Sequence, residues 1–303
     1  MLSVSEESTY PKVSIIMPTY NRAEYIHETI ESVRKQTWQN WELIIVDDGS
    51  DDNTGQIVSE INDKRINFLR AGRIAINGKI KNIGLKKASG ELIAFIDSDD
   101  LWAETKIEKQ VVALQKFADA GFSFTGGYNF RRLLEPIDFF YKQKEGVKCD
   151  NIFIPIFKSE ISTTTPSLMM RKECLDKVGM FNETKPFSDI NFIVRLATQF
   201  KAVILYEPLL YRRLHEGNDS LTHWINGYHQ GIAMIHEHKR KLPIDVVRNA
   251  LFKLYANFGE DCIAHGQTKK AIRNFFIAWQ NKPTSIVPFK KAAKAVLQWA
   301  KGQ

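Results

Sequence analysis

The sequence predicts an α/β protein whose central sheet is mostly parallel, followed by a smaller helical region. Strand and helix patterns alternate over the first part of the chain, polar clusters follow the strands, and residues 221–303 have helical periodicity alone. Alternating strands and helices are typical of parallel sheets covered on both faces. We therefore expect an α/β domain over residues 1–220 and a helical appendage over residues 221–303.

The first strand, Val13–Met17, is apolar and is predicted to stop at Pro18, because proline lacks the N–H that a sheet ladder uses. Three more strands then alternate with three helices, each recognised by its apolar periodicity. The strands are predicted at 41–46, 66–69 and 92–96, and the helices at 23–35, 53–61 and 79–88. Ligands of such sheets bind where strands end, so the polar clusters there are the candidate site.

The C-terminal region is predicted to form four helices, at 221–239, 244–265, 268–280 and 288–301. It carries 13 Lys and Arg against 4 Asp and Glu, whereas the whole chain has a net charge of +7. The last helix has apolar residues on one side and lysines on another, a pattern suited to an anionic membrane surface. The alternative is a helix packed on the first domain with a solvated basic face.

The composition is that of an ordinary globular protein, with 303 residues, 44% hydrophobic and 25% charged. The three cysteines are widely spaced and predict neither a disulfide framework nor a zinc site. We find no signal-peptide pattern and no apolar run long enough to cross a bilayer. We expect a cytoplasmic protein, able to lie on the inner face of the membrane, without a nucleic-acid partner.

Carboxylates are concentrated where the apolar strand 92–96 ends. Asp97, Asp99 and Asp100 follow that strand, and two other polar clusters, 19–22 and 47–50, follow earlier strands. Carboxylates at the rim of a sheet can hold a hard divalent cation against phosphate oxygens. The pattern therefore predicts a site for a metal-bound diphosphate.

Four blocks in this order, residues 13–22, 42–50, 81–91 and 95–102, resemble family 2 glycosyltransferases, which are inverting enzymes with the GT-A fold. The resemblance covers about residues 12–220. It implies a nucleotide-sugar donor, most simply UDP-linked, a glycan or lipid-linked glycan acceptor, and Mn²⁺ or Mg²⁺ as cofactor. It also implies a role in bacterial surface polysaccharide synthesis.

The resemblance implies that Asp48 binds the pyrimidine base, since a carboxylate accepts the N3 hydrogen of uracil. The alternative for Asp47 and Asp48 is a purely structural role in a turn held by side-chain hydrogen bonds. The residues implied for donor binding are Pro18, Thr19, Tyr20, Arg22, Asp48, Lys81, Asn82, Asp97, Ser98, Arg212, Arg213 and His215.

The family's Asp-x-Asp motif matches Asp97-Ser98-Asp99, which implies that Asp99 binds the metal, with Asp97 beside it near the ribose. Alternatively, Asp99 and Asp100 only begin the following helix. Asp189 matches the catalytic base, although as a residue at a helix start it could also be a simple cap. One departure is Ser188, which replaces the glutamate usual before this aspartate.

Residues 210–220 resemble the family's closing loop, which implies a mobile lid in which Arg212, Arg213 and His215 cover the diphosphate. A histidine in a polar loop is, alternatively, simply exposed.

Two other enzyme classes and one non-catalytic role compete with this interpretation. A sugar nucleotidyltransferase would need a glycine-rich basic loop after the first strand, which residues 18–22 do not provide. A dehydrogenase would need Gly-x-Gly-x-x-Gly at the same turn. A non-catalytic scaffold that keeps the nucleotide pocket is conceivable because of Ser188, and UDP release would distinguish it from an enzyme.

Overall fold

The computed structural model describes residues 10–131, 135–141, 144–184, 188–218, 224–287 and 289–293, and it confirms the α/β fold with a helical C-terminal region. The strands are β1 Val13–Thr19, β2 Trp41–Asp47, β3 Ile66–Arg70, β4 Leu92–Phe95, β5 Leu101–Trp102, β6 Ala120–Phe130, β7 Asp138–Phe139, β8 Val147–Asp150, β9 Met169–Arg171 and β10 Lys201–Arg213. The helices are α1 Ile26–Arg34, α2 Thr54–Glu60, α3 Asn77–Lys87, α4 Lys106–Lys116, α5 Phe153–Lys158, α6 Cys174–Val178, α7 Asp189–Gln199, α8 Trp224–His238, α9 Ile244–Ala264 and α10 Thr268–Asn281. Among these described helices, none combines the length and apolarity needed to span a bilayer.

The strands form one sheet in the order β3-β2-β1-β4-β9-β6-β10-β5, with β7 added to β6 and β8 to β10. Strands β1 to β4 are mutually parallel. Strand β9 is antiparallel to both of its neighbours, while β6 and β10 are parallel to each other. This order places the carboxyl ends of β2, β1 and β4 side by side.

The prediction that β1 stops at Pro18 is wrong, because the strand continues to Thr19. The carbonyl of Ile16 accepts the N–H of Ile96 from the β4 side, and the carbonyl of Thr19 accepts the N–H of Asp48 from the β2 side. The backbone N–H and C=O groups of successive strand residues point to opposite neighbouring strands. Those of Pro18, two residues after Ile16, therefore face β4. Pairing with β4 ends at Ile16, so the missing N–H of Pro18 breaks no ladder bond.

The core lies between this sheet and its helices. Ile15, Ile45 and Ala94 on the sheet are fully buried, as are Ile30 and Val33 of α1. Fully burying an aliphatic side chain of this size contributes about 1.5–3 kcal/mol each. The core therefore fixes the strand ends that carry the polar clusters.

Glu42 of β2 joins three segments at the opposite end of the sheet. Its carboxylate accepts hydrogen bonds from Ser14 Oγ (2.5 Å), the backbone N–H of Ser89 (2.7 Å) and Lys12 Nζ (2.9 Å). Burial alone would raise the pKa of Glu42, but these hydrogen bonds outweigh it and lower the pKa to about 2.

Because the folded-state pKa of Glu42 is depressed, its stabilising contribution is complete above about pH 4.5 and is lost as the pH falls towards 2. We expect Glu42→Gln to lower the free energy of unfolding by about 1–2 kcal/mol at pH 7 and to have little effect near pH 2. Urea unfolding across this pH range measures the difference. The exposed Glu173→Gln is the control, and an equal loss at both pH values would contradict the expectation.

The chain divides into two compact units, residues 1–152 with 162–215, and residues 153–161 with 216–303. In the second unit, Phe258, Cys262 and Phe275 form a core between α9 and α10. Of the fourth predicted helix, 288–301, the structure describes only residues 289–293, which are helical. The domain boundary after residue 220 stays a proposal.

Candidate active site

The candidate site is a group of polar side chains at the carboxyl ends of β2, β1 and β4. Asp48 follows β2, Tyr20 follows β1 and Asp97 follows β4. These three strands are direct neighbours in the sheet. The sheet topology thus brings together clusters that are far apart in sequence.

Asp48 is buried and its carboxylate binds the loop that follows β3. Oδ1 accepts the N–H of Ile74 (2.5 Å), Oδ2 accepts the N–H of Ala75 (3.0 Å), and Arg73 donates to Oδ2. Asp47 instead accepts Ser50 Oγ (2.5 Å), as the turn interpretation expects. Asp48 is therefore a bridge between the loop after β2 and the loop after β3.

Tyr20 and Arg73 form the wall beside Asp48. The guanidinium carbon of Arg73 lies 3.7 Å from the centroid of the Tyr20 ring. The loop can close this far because residue 49 is glycine, with φ of +80°, and a Cβ there would lie 2.8 Å from the backbone N of Arg73. Thr19 Oγ1 is buried beside this wall and has no hydrogen-bond partner among the described residues. Pro18, by contrast, is only partly buried.

The acidic cluster after β4 contains three carboxyl groups in different states. Burial, together with repulsion from Asp99 and Asp189, raises the pKa of Asp97 to about 6, even though Lys81 and Arg212 oppose the change. Burial and the neighbouring aspartates raise the pKa of Asp100 well above its ordinary value. Ser98 is buried and its carbonyl accepts Thr29 Oγ1 (3.1 Å).

Asp99 is the aspartate of the cluster whose carboxylate contacts Arg22 and His215. Its Oδ2 accepts Arg22 Nε (3.1 Å) and lies 2.9 Å from His215 Nε2. Burial would raise the pKa of Asp99, but the hydrogen bond to His215 and the charge of Arg22 lower it overall. The His215 ring packs on Tyr25, with centroids 4.6 Å apart. Asp99 thus stays ionised.

The expectation that 210–220 is a loop is wrong for its first residues, because Arg212 and Arg213 belong to β10. They are held there by pairing with β6, and Leu210 and Tyr211 also pair with β5. The backbone N–H of Arg213 donates to Asp100 Oδ1 (3.0 Å), and its Nε donates to the carbonyl of Asp99 (3.0 Å). His215 follows the strand, and residues 219–223 lie outside the described residues.

A divalent cation fits the donor chemistry of this cluster. Both hydrogen bonds of the Asp99 carboxylate within the described chain use Oδ2. Oδ1 is left as a hard oxygen ligand for a cation, and Asp97 adds a second carboxylate. The described residues contain no group of three or more His, Cys, Asp or Glu arranged as a complete metal cage. Mg²⁺ and similar ions are usually held by one or two carboxylates plus substrate phosphates, so two aspartates suit that mode.

Lys81 and Asp189 form an ion pair beside the acidic cluster. Lys81 is fully buried, and its Nζ lies 2.6 Å from Asp189 Oδ2 and 3.2 Å from Thr165 Oγ1. Thr165 Oγ1 in turn donates to Asp189 Oδ2 (2.8 Å). Asp189 Oδ1 has no partner in the part of the chain that the structure describes. One carboxylate oxygen is anchored and the other is left as an acceptor.

The approach of α3 to the segment before Asp189 depends on Gly78. A Cβ at this position would lie 2.3 Å from Ser188 Oγ and 2.4 Å from the carbonyl of Asn182. Asn82, one turn further along α3, donates to the carbonyl of Phe181 (2.9 Å) and accepts the N–H of the same residue (3.0 Å). Asn82 therefore holds Phe181 in place. Its predicted contact with the nucleotide-sugar donor stays a prediction.

We expect Lys81→Met to lower kcat by about tenfold or more, because the anchored oxygen of Asp189 loses its buried cation. Thr165→Val removes one hydrogen bond and should cost about fivefold. The exposed Lys79→Met, on the same helix, is the matched control. Steady-state kinetics, with melting curves for each variant, measure the effect. An unchanged kcat in a folded Lys81→Met protein would contradict it, and Lys81→Arg tests whether charge alone suffices.

The sequence analysis missed two residues of this site. Arg73 lies in the loop after β3, separated from the strand by Ala71 and Gly72, and a cation near a strand end was a usable signal. Thr165 begins a 3₁₀ turn within a serine- and threonine-rich segment, and nothing in the sequence distinguishes it from its neighbours.

The profile of glycosyl transferase family 2 matches residues 14–178, which is more than half of the chain. The Escherichia coli protein UDP-Glc:alpha-D-GlcNAc-diphosphoundecaprenol beta-1,3-glucosyltransferase WfgD is 47% identical over 104 residues, 34% of this chain and 41% of that protein. The putative teichuronic acid biosynthesis glycosyltransferase TuaG of Bacillus subtilis is 37% identical over 143 residues, 46% of this chain and 56% of that protein. The matched region thus spans about half the length of these curated relatives.

Among solved structures, S. aureus TarS 1–349 in complex with UDP has a TM-score of 0.65 at 19% identity, covering 96% of this chain and 92% of that chain. At this identity the likeness shows the fold alone, and it confirms the expected GT-A-type architecture. The family profile covers β1 to β4 and the acidic cluster that follows them. By fold and by sequence, this chain belongs to glycosyl transferase family 2.

Proposed function

We propose that this protein is an inverting glycosyltransferase that moves a sugar from a nucleotide donor, most simply UDP-linked, to a hydroxyl of a glycan or lipid-linked glycan. The observation that carries the proposal is the anchored carboxylate of Asp189 beside the acidic cluster after β4. Its Oδ2 is bound by Lys81 and Thr165, and its charge acts on Asp97. A base next to a diphosphate site is the arrangement that such a transfer needs.

In the proposed reaction, Asp189 accepts the proton of the acceptor hydroxyl as that oxygen bonds to the anomeric carbon. The bond from the anomeric carbon to the diphosphate oxygen breaks on the opposite face, and its electron pair leaves with the nucleoside diphosphate. Configuration at the anomeric carbon therefore inverts. Lys81 and Thr165 hold the carboxylate in place throughout, which is a positioning effect rather than a contact with substrate.

The diphosphate is proposed to lie over the cluster of Asp97 and Asp99. A divalent cation held there by the two carboxylates, Mn²⁺ or Mg²⁺, would stabilise the charge of the departing diphosphate. Arg212, Arg213 and His215 add positive charge or hydrogen-bond donors beside the same cluster. Arg22, which already pairs with Asp99, adds a further positive charge beside this cluster.

The nucleobase of the donor is proposed to bind beside Asp48, Tyr20 and Thr19 Oγ1, which has no hydrogen-bond partner among the described residues. The ring of Tyr20 offers a stacking surface, and Thr19 Oγ1 and the Asp48 carboxylate offer polar groups. The Asp48 carboxylate is proposed to accept the N3 hydrogen of uracil, and we propose a uridine nucleotide rather than a guanosine one. Calorimetry with UDP and GDP tests this, and we expect UDP to bind at least about tenfold more tightly.

The names of the relatives support a role in bacterial surface glycan synthesis. WfgD is named for a diphosphoundecaprenol-linked acceptor and TuaG for teichuronic acid synthesis. A lipid-linked glycan acceptor is a proposal supported by the first of these names. A cytoplasmic location at the inner face of the membrane stays a prediction.

The decisive experiment is a panel of UDP- and GDP-sugars with Mn²⁺, scored for release of the nucleoside diphosphate with and without candidate glycan acceptors. Acceptor-stimulated release that Asp189→Asn abolishes would support the proposal. Tight UDP binding without release from any donor would instead indicate a non-catalytic scaffold. NMR of the product's anomeric proton tests the inversion.

A further inference from the structure

The second unit carries a group of exposed aromatic and aliphatic side chains at the end of α10. In the described chain, eleven large apolar side chains are exposed, and four of them fall between residues 276 and 289. The others are scattered along the sequence, so this concentration needs an explanation. We call these four side chains, together with the half-buried Trp279, the aromatic patch: Phe276, Trp279, Ile286, Val287 and Phe289.

Ring contacts make the aromatic patch continuous. The rings of Phe276 and Trp279 have centroids 5.8 Å apart, and those of Trp279 and Phe289 are 5.0 Å apart. Phe276 is 50% exposed and Phe289 is 48% exposed. The indole N–H of Trp279 already donates to the carbonyl of Pro283 (3.1 Å), so the ring is held in place by a local bond.

The segment that follows α10 contributes the other members of the aromatic patch. The N–H of Lys290 donates to the carbonyl of Ile286 (3.1 Å), which is the spacing of an α-helical hydrogen bond. Residues three apart share a helix face, so Ile286, 60% exposed, lies on the face of Phe289. Lys291, on the other side of this turn, pairs with Glu260.

Cations surround the aromatic patch. Lys269 and Arg273 are exposed and precede Phe276 on one stripe of α10, at spacings of seven and three residues. Lys282, directly after α10, and Lys290, directly after Phe289, are exposed as well. The sequence contains no Asp or Glu after Asp261. The patch is therefore apolar at its centre and positive at its rim.

We propose that the aromatic patch docks this protein on an anionic phospholipid surface. Phe and Trp rings are favoured at the boundary between headgroups and acyl chains, and each nearby Lys or Arg gains from anionic headgroups. A second copy of the chain fits poorly, because two positive rims would face each other. The proposal does not depend on the reaction, and it adds the end of α10 to Phe289 and Lys290, the two residues it shares with the last predicted helix.

Vesicle co-sedimentation of the full chain tests the docking, with phosphatidylcholine vesicles and with vesicles containing phosphatidylglycerol. We expect binding to the anionic vesicles alone. The double variant Phe276→Ser/Phe289→Ser should weaken it by about tenfold or more, and Lys269→Gln/Arg273→Gln should weaken it by a similar factor. The matched control is Ile244→Ser, since Ile244 is 67% exposed in the same unit but outside the patch.

All four substituted residues of the test variants are exposed, so melting curves should match those of the wild type. The proposal is overturned if the wild type ignores anionic vesicles, or if the ring variant binds as well as the control. It is also overturned if light scattering shows a wild-type dimer that the ring variant loses, because the patch would then be a subunit interface. None of these outcomes depends on sugar transfer, so the docking and the proposed reaction fail separately.

Discussion

Replacing Asp189 by Asn is expected to lower kcat by roughly 10²–10⁴-fold while leaving UDP affinity within about threefold. The amide keeps the size of the carboxyl group but cannot take up the proton of the acceptor hydroxyl. Its amide oxygen can still accept from Lys81, which now donates to Asp189 Oδ2 over 2.6 Å, so the anchoring contact is kept while the basicity is lost. Initial rates with saturating donor and acceptor, together with calorimetry for UDP, measure the two effects.

The split between kcat and UDP affinity is what identifies a base. If UDP affinity falls in parallel with kcat, Asp189 belongs to donor binding instead. If both stay unchanged, Asp189 is only the first residue of α7 and the proposed reaction loses its base. The exposed Asp176→Asn controls for the loss of a carboxylate elsewhere in the same unit.

Replacing Asp99 by Ala is expected to reduce kcat/KM by roughly 10²-fold or more and to remove the effect of Mn²⁺ on UDP affinity. The variant loses the carboxylate proposed to hold the cation and leaves Arg22 and His215 without their shared partner. Calorimetry of UDP with Mn²⁺, and again after EDTA, gives a readout that does not require turnover.

For the wild type, we expect EDTA to weaken UDP binding and to stop transfer, and added Mn²⁺ to restore both. If Mn²⁺ leaves the UDP affinity of the wild type unchanged and EDTA spares transfer, the metal proposal is wrong. Asp99→Asn is the second variant, since it keeps the shape of the side chain for Arg22 and tests charge alone. Asp176→Asn is again the control.

The sequence could predict the fold in the first part of the chain because its signals there are local. Apolar runs such as 92–96 and the polar clusters after them identify strand ends without knowledge of the rest of the molecule. Pro18 was misjudged because a local rule cannot know that β4 stops pairing at Ile16. Helix α5, Phe153–Lys158, was not predicted because its sequence has no comparable periodicity.

The site could be predicted only in part because its decisive contacts are long-range. Lys81 and Asp189 are 108 residues apart, and their ion pair depends on which strands and helices become neighbours. The sequence suggested that Lys81 contacts the nucleotide-sugar donor. It did not suggest that Lys81 is buried and paired with Asp189. Thr165 and Arg73 act through their positions in turns and loops, which the spacing of residue types does not reveal.

The guanidinium of Arg73, flat and packed against Tyr20, has a consequence for turnover. A nucleobase entering beside Tyr20 would exchange one planar partner for another, so it gains only the difference between two stacking energies. The nucleoside half of the ligand then contributes modestly to affinity, and the phosphates must supply most of it. For the proposed reaction, we therefore expect the nucleoside diphosphate product to dissociate readily once the sugar has gone, which favours rapid recycling over tight retention.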